Sequence, residues 1–161
     1  MRRVSVMTQG RQSTWAERLL RRRRLARAPI WIYRTRLGVL FGTRLLLLEH
    51  VGRRSGQTRY VVVEAAARPA PGVYVVVSGF GTQAQWFQNV MADPRVRISV
   101  GWRYRRLARA RRLEAVESRA VLERYAVEHP RAWRALKPIV EASAERDPNG
   151  PEPAVVEFQL L

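Results

Sequence analysis

Between two apolar runs the chain carries Gly52-Arg53-Arg54-Ser55-Gly56-Gln57-Thr58-Arg59. Arginine forks bind phosphate and carboxylate through paired hydrogen bonds, and successive turn amides add donors. Two glycines permit the positive φ that tight reversals need. The chemistry this suits is the holding of an anion, and the plain alternative is an ordinary basic hairpin turn. Two later clusters bear on the choice. Ser78-Gly79-Phe80-Gly81 sets a hydroxyl and a permissive backbone at a strand end, where a flat ring could approach closely. Trp86-Phe87-Gln88-Asn89 follows on a short helix, with Trp86 and Asn89 three apart and so on one face. That face joins an aromatic surface to a hydrogen-bonding amide, unless Trp86 simply packs into the core.

Other chemistries are absent. The 161 residues include no cysteine and two histidines, His50 and His129, which excludes disulfides, thiol nucleophiles and multi-His or Cys-ligated metal sites. His50 falls in a strand pattern and reads as structural. His129 precedes Pro130 and either flanks a helix or lines a pocket. Gly79-Phe80-Gly81 is too short for a dinucleotide or Walker fingerprint and lacks the following βαβ context. No apolar stretch approaches the ~20 residues of a membrane span. The nearest, Leu37–Leu48, is interrupted by Arg44 and has no small-residue cleavage site. A cytoplasmic protein is expected.

The elements that must position these residues follow from periodicity and turn residues. Residues 1–12 read as a basic arm. Thr14 with Glu17 forms a capping-box pattern opening a helix to about Ala28, and Pro29 opens a second helical piece. Leu45–Val51, Arg59–Ala66 and Val73–Ser78 read as strands, the last two joined through Arg68-Pro69-Ala70-Pro71-Gly72. A short helix, about Gln83–Ala92, stops before Pro94. Arg95–Val100 and Tyr104–Leu113 form a hairpin across Gly101-Trp102-Arg103. The second strand's alternation slips at Arg111 and Arg112, which predicts a bulge or fray there. Glu117–Val127 reads as a helix, Pro130 opens another that Pro138 must kink or restart, and Ala154–Leu160 closes the chain as a strand after a polar linker, 147–153. About six short strands with interposed helices predict an α+β, antiparallel barrel with helical decorations.

In their order and spacing, Gly52-Arg53-Arg54-Ser55-Gly56, Arg59, Ser78-Gly79-Phe80-Gly81 and Trp86 through Pro94 resemble the motifs of the deazaflavin-dependent nitroreductase family. The resemblance covers roughly residues 37–115. It implies a split β-barrel that binds reduced coenzyme F-420 and passes hydride to quinone-like, enone or nitro acceptors. On it, residues 1–36 form a basic arm and helix, and 37–161 form the coenzyme-binding barrel of a single globular domain. Arg53, Arg54, Ser55, Gly56 and Arg59 match positions that hold the coenzyme's phosphate and acidic tail. Ser78, Gly79, Phe80 and Gly81 match the segment beside the deazaflavin ring, and Trp86 with Asn89 match the helix closing over it. A proton must also reach the substrate, for which Ser78 and Tyr125 are the hydroxyl candidates. Glu64 stands where nitroimidazole-reducing members have Tyr, and His129 and Trp133 stand in place of their Tyr-rich pocket, so these three are the substrate-side candidates. FMN in place of the deazaflavin stays open, because related split barrels use it.

The charge of +17 is uneven. Residues 1–44 hold twelve Arg against one Glu, and residues 95–112 hold eight Arg and no acid. The N-terminal helix could lie on an anionic membrane surface, placing the protein peripherally on the inner face of the cell membrane. A non-catalytic coenzyme-binding or membrane-surface module therefore stands beside the enzyme as a second reading. Nucleic-acid binding is a third, resting on charge alone with no recognition motif, so no specific nucleic acid is expected. The expected partner is a small-molecule electron acceptor.

Overall fold

Three Val- and Leu-rich segments pair as an antiparallel meander in the computed structural model, which describes residues 44–145 and 153–161. They are β1 (Leu45–Val51), β2 (Thr58–Ala67) and β3 (Val73–Val77). A 3-10 turn at Gly81–Gln83 leads into α1 (Gln85–Ala92). The hairpin β4 (Arg95–Val100) and β5 (Arg103–Arg112) follows, then α2 (Ala115–Glu128), α3 (Pro130–Ala144) and β6 (Val155–Leu160). The strands close as β1-β2-β3-β6-β5-β4 into an all-antiparallel barrel. This is the α+β barrel expected, and closure removes the exposed edges that short strands would otherwise present. The proposed N-terminal arm and helices, the boundary at residue 36, and all but the end of the 147–153 linker lie outside the described residues.

Alternation fills the interior. Leu46, Leu48, Tyr74, Val76, Val96, Ile98, Val100, Val156 and Phe158 are buried in one cluster, and Phe87 and Val90 of α1 close one end of it. Each such side chain contributes roughly 1.5–3 kcal/mol by leaving water. β3 is buried on both faces. Tyr74 and Val76 point inward, while Val75 packs outside with Leu113 and Val155 beneath Val121 of α2. Two-sided burial explains why Val73–Val77 is an unbroken apolar run.

The bulge sits elsewhere than expected. Arg111 and Arg112 pair in register with Glu157 and Val156. The irregularity lies at the other end of β5, between Ile98 and Val100 of its partner, where Arg105 takes φ 46° and its amide donates to Ser99 Oγ at 3.0 Å. Charge at Arg111–Arg112 does not break the ladder because both side chains have somewhere to go. Arg111 bonds Glu117 and Glu157 outside the barrel, and Arg112 lies over the Phe87 ring, 5.7 Å from its centroid, its stem covering apolar surface. Nor does Pro138 restart its helix, since α3 runs continuously through it.

The register defines two ends. At one lie the Gly52–Gln57 turn, Ser78–Gly81, α1 and the start of β4. At the other lie the 68–72 loop and the Gly101–Trp102 hairpin tip. The α2–α3 hairpin packs along the outer side of β2 and β3, with Val121 over Val75 and Tyr125 against Glu64.

Candidate functional site

The turn between β1 and β2 is built by its own backbone. Gly52 N donates to Gln57 O at 2.8 Å, and the amides of Ser55 and Gly56 donate to Gly52 O at 3.1 and 2.8 Å. Gln57 N donates to Ser55 Oγ at 3.3 Å. The turn is tight at Gly52, where a Cβ would sit 2.8 Å from the rotatable Ser55 Oγ and 3.3 Å from Gln57 O, and Gly56 has φ +64°. These bonds take up most of the turn amides, so attraction for an anion rests on the guanidiniums.

The arginines of the turn do different things. Arg53 reaches across to α1. Its Nη1 donates to Gln85 Oε1 at 3.1 Å and to Asn89 Oδ1 at 2.9 Å, and its Nη2 bonds Gln88 Oε1. Its amide also donates to Asn89 Oδ1, at 3.1 Å. The buried Asn89 then donates through Nδ2 to Nδ1 of His50, 3.3 Å away. Accepting at Nδ1 places the imidazole proton on Nε2. His50 is 4% exposed, and burial is the main cause holding its pKa below the ordinary value. A bond to the Val51 backbone opposes that, and the Arg59 charge adds to it. Arg54 is exposed and has no side-chain partner among the described residues. Arg59 is exposed and, among the described residues, donates to Gln57 Oε1 at 3.2 Å.

Ser78 locks the strand end. Its buried Oγ donates to Gly81 O at 2.8 Å. Its amide donates to Ala154 O at 2.8 Å, and Gly81 N returns to Ser78 O at 3.0 Å. Gly81 takes φ +60°. Held this way, the loop turns Phe80 outward, 65% exposed, and sets Gly79 beside Ile139 of α3, where a Cβ would meet Ile139 Cγ2 at 3.6 Å. Trp86 is half-buried against the barrel core and meets Phe87 edge-on at 6.0 Å.

The substrate-side candidates converge. Tyr125 of α2, 3% exposed, donates its hydroxyl to Glu64 Oε1 at 3.0 Å. Burial first, then the Glu64 carboxylate, pushes the phenol pKa up, so Tyr125 keeps its proton at neutral pH. Arg44 holds the same carboxylate at 2.8 Å. His129 and Trp133 stack edge-on against the Tyr125 ring at 5.1 and 6.4 Å. Six residues of α3, about 9 Å of helix rise, separate Trp133 from Ile139 beside Gly79.

The turn, the Ser78–Gly81 loop and α1 thus meet at one end of the barrel, and the Glu64–Tyr125–His129–Trp133 group lies on its outer side, joined to them by α3. Sequence reading missed Gln85, Gln88, Arg44 and Ile139. Gln85, Gln88 and Asn89 do form a polar stripe at helical spacing, which marks a face that needs a donor. Arg44 and Ile139 carry no such signal. Among the described residues there is no group of side chains able to hold a metal ion, and no helix long and apolar enough to cross a membrane.

A family model described as F420H(2)-dependent quinone reductase matches residues 25–136. No curated protein matches the chain. A solved structure described as a domain-swapped dimer aligns with a TM-score of 0.53 at 23% identity, covering 73% of this chain and 81% of that one. The structure of an F420-H2 dependent reductase, FDR-A, aligns at 0.50 with 23% identity over 72% of this chain and 94% of that one. HutZ, a heme storage protein from Vibrio cholerae, aligns at 0.50 with 11% identity over 80% and 88%. At such identities the likeness is one of fold.

Proposed function

The chain belongs to the F420H(2)-dependent quinone reductase family, and we propose that it is a reductase that binds the reduced deazaflavin coenzyme at the Gly52–Gln57 end of the barrel and reduces a quinone-like acceptor. The observation that carries this reading is the unequal pair on the turn. Arg53 is drawn onto α1 by three amide oxygens, which leaves Arg54 exposed beside Arg59 and without a side-chain partner among the described residues. A phosphate or polycarboxylate tail fits these guanidiniums, and a flat ring fits the outward Phe80 and the side-chain-free Gly79.

When bound, the reduced coenzyme supplies the hydride. The protein's own work is to bind, orient and protonate. Arg54 and Arg59 bind the anionic tail, with Ser55 and Gly56 shaping the turn. Gly79, Phe80 and Gly81 face the ring, and Trp86 and Asn89 hold α1 beside it. The Ser78 hydroxyl already donates to Gly81 O, which favours a role in holding the loop. The Tyr125 hydroxyl is likewise engaged, donating to Glu64 Oε1 at 3.0 Å, and acts as donor to the acceptor by exchanging that bond, with His129 and Trp133 lining the approach.

Oxidation of the reduced coenzyme by menadione, followed by absorbance, tests the reading. Turnover that saturates in coenzyme is the expected result. Absence of turnover across a quinone, enone and nitroaromatic panel, with coenzyme bound, would leave a binding module instead. A flavin spectrum in the protein as purified, with no affinity for the deazaflavin, would assign FMN.

A further inference from the structure

We propose that the end of the barrel opposite the Gly52–Gln57 turn docks on an anionic phospholipid surface. There the structure holds a continuous contact chain of rings and guanidiniums. Arg68 lies over the Tyr74 ring at 5.2 Å, Arg103 Nη1 reaches the Tyr74 hydroxyl at 3.5 Å, and the same Arg103 lies over the Trp102 ring at 4.8 Å. Trp102 forms the β4–β5 hairpin tip and is 78% exposed. Among the described residues, neither Arg68 nor Arg103 has a carboxylate within ion-pairing distance. Arg106, on the same side of β5 as Ala108, is exposed too.

Apolar surface accompanies this charge. Leu107 is half exposed, and Leu161, whose amide donates to Leu107 O at 3.0 Å, is largely so. Guanidiniums that can leave aromatic faces for phosphate, beside an outward Trp and aliphatic side chains, match the polar-to-apolar gradient of a bilayer interface. Nucleic acid fits less well. One face of Trp102 is already covered by Arg103, and Tyr104 is the other exposed ring nearby, beside the aliphatic Leu107 and Leu161. The proposal concerns a surface distant from the coenzyme turn and stands whether or not the coenzyme binds.

Flotation of the full chain with vesicles tests it. Binding is expected to vesicles of phosphatidylcholine with phosphatidylglycerol and not to phosphatidylcholine alone. With a charge of +17, some electrostatic adsorption occurs through any basic face, so the decisive comparison is between charge-matched variants. Arg68→Gln/Arg103→Gln should lower partitioning by about tenfold or more. Arg124→Gln/Arg134→Gln, which removes the same charge from the exposed sides of α2 and α3, should lower it far less. Trp102→Ser, at an exposed tip, should also weaken binding and provides a second test if the arginine pair disturbs the barrel mouth. Equal losses in the two double variants, or none in either, would overturn the proposal. So would a loss of oligonucleotide retention in Arg68→Gln/Arg103→Gln with vesicle binding intact, which would assign the surface to nucleic acid.

Discussion

Arg53 and Arg54 are adjacent, identical in type and exposed, yet they answer to different neighbours. Arg53 meets three amide oxygens of α1, whereas Arg54 has no side-chain partner among the described residues. Arg54→Ala should therefore weaken coenzyme binding by about tenfold or more, the equivalent of losing one charge-assisted contact of ~1.5–3 kcal/mol, with melting nearly unchanged. Arg53→Ala should lower the melting temperature as well, because Asn89 Oδ1 loses its side-chain donor. Equal melting with equal affinity loss in both variants would mean that Arg53 does not hold α1. His50, next along this chain of bonds, adds a pH dependence. Its pKa is depressed by burial in the folded protein, so on acidification below about 6.5 the unfolded chain takes up a proton that the folded chain resists. Stability must then fall as pH drops through that window and recover as pH rises. Melting at pH 5 and pH 7 should show this drop, and His50→Gln should reduce it relative to the parent. An identical drop in both would place its origin in the carboxylates alone.

At the scale of elements, α3 joins the two halves of the site, running from Trp133 against Tyr125 to Ile139 beside Gly79. The hairpin it forms with α2 fixes the Tyr125 hydroxyl on Glu64. Tyr125→Phe keeps the ring contacts with His129 and Trp133 and removes only the proton. It should lower turnover several-fold while leaving coenzyme affinity unchanged, and unaltered turnover would remove Tyr125 from the reaction. The strands were legible because each carries its own pattern. Val96, Ile98 and Val100 alternate, and Val73–Val77 is apolar throughout because the barrel interior covers one face and α2 the other. The bulge was misplaced because broken alternation at Arg111–Arg112 looks like an irregular strand, when Glu117, Glu157 and the Phe87 ring in fact accept those guanidiniums. The irregularity at Arg105 follows from the curl of a hairpin at the barrel rim, which no local pattern records. The Arg53–Asn89 contact escaped for a related reason. Its partners are 36 residues apart, and the turn motif alone does not say which of two arginines faces the helix.

Over the whole molecule, closure of six short strands gathers distinct side-chain clusters at both ends of one barrel. The turn, the Ser78–Gly81 loop and α1 gather at one mouth, and the Arg68–Tyr74–Arg103–Trp102 contacts at the other. A net charge of +17 also draws any polyanionic ligand from a distance, so coenzyme affinity should fall with added salt on the scale of the Debye length, about 10 Å at 0.1 M. An affinity indifferent to salt would argue that the tail is not held by arginine. The most direct measurement is an equilibrium titration of the full chain with the reduced deazaflavin coenzyme, followed by the coenzyme's own fluorescence. Saturable binding at micromolar concentration, weakened in Arg54→Ala, is the expected result. No binding at micromolar coenzyme would contradict the assignment of this barrel end as the coenzyme site.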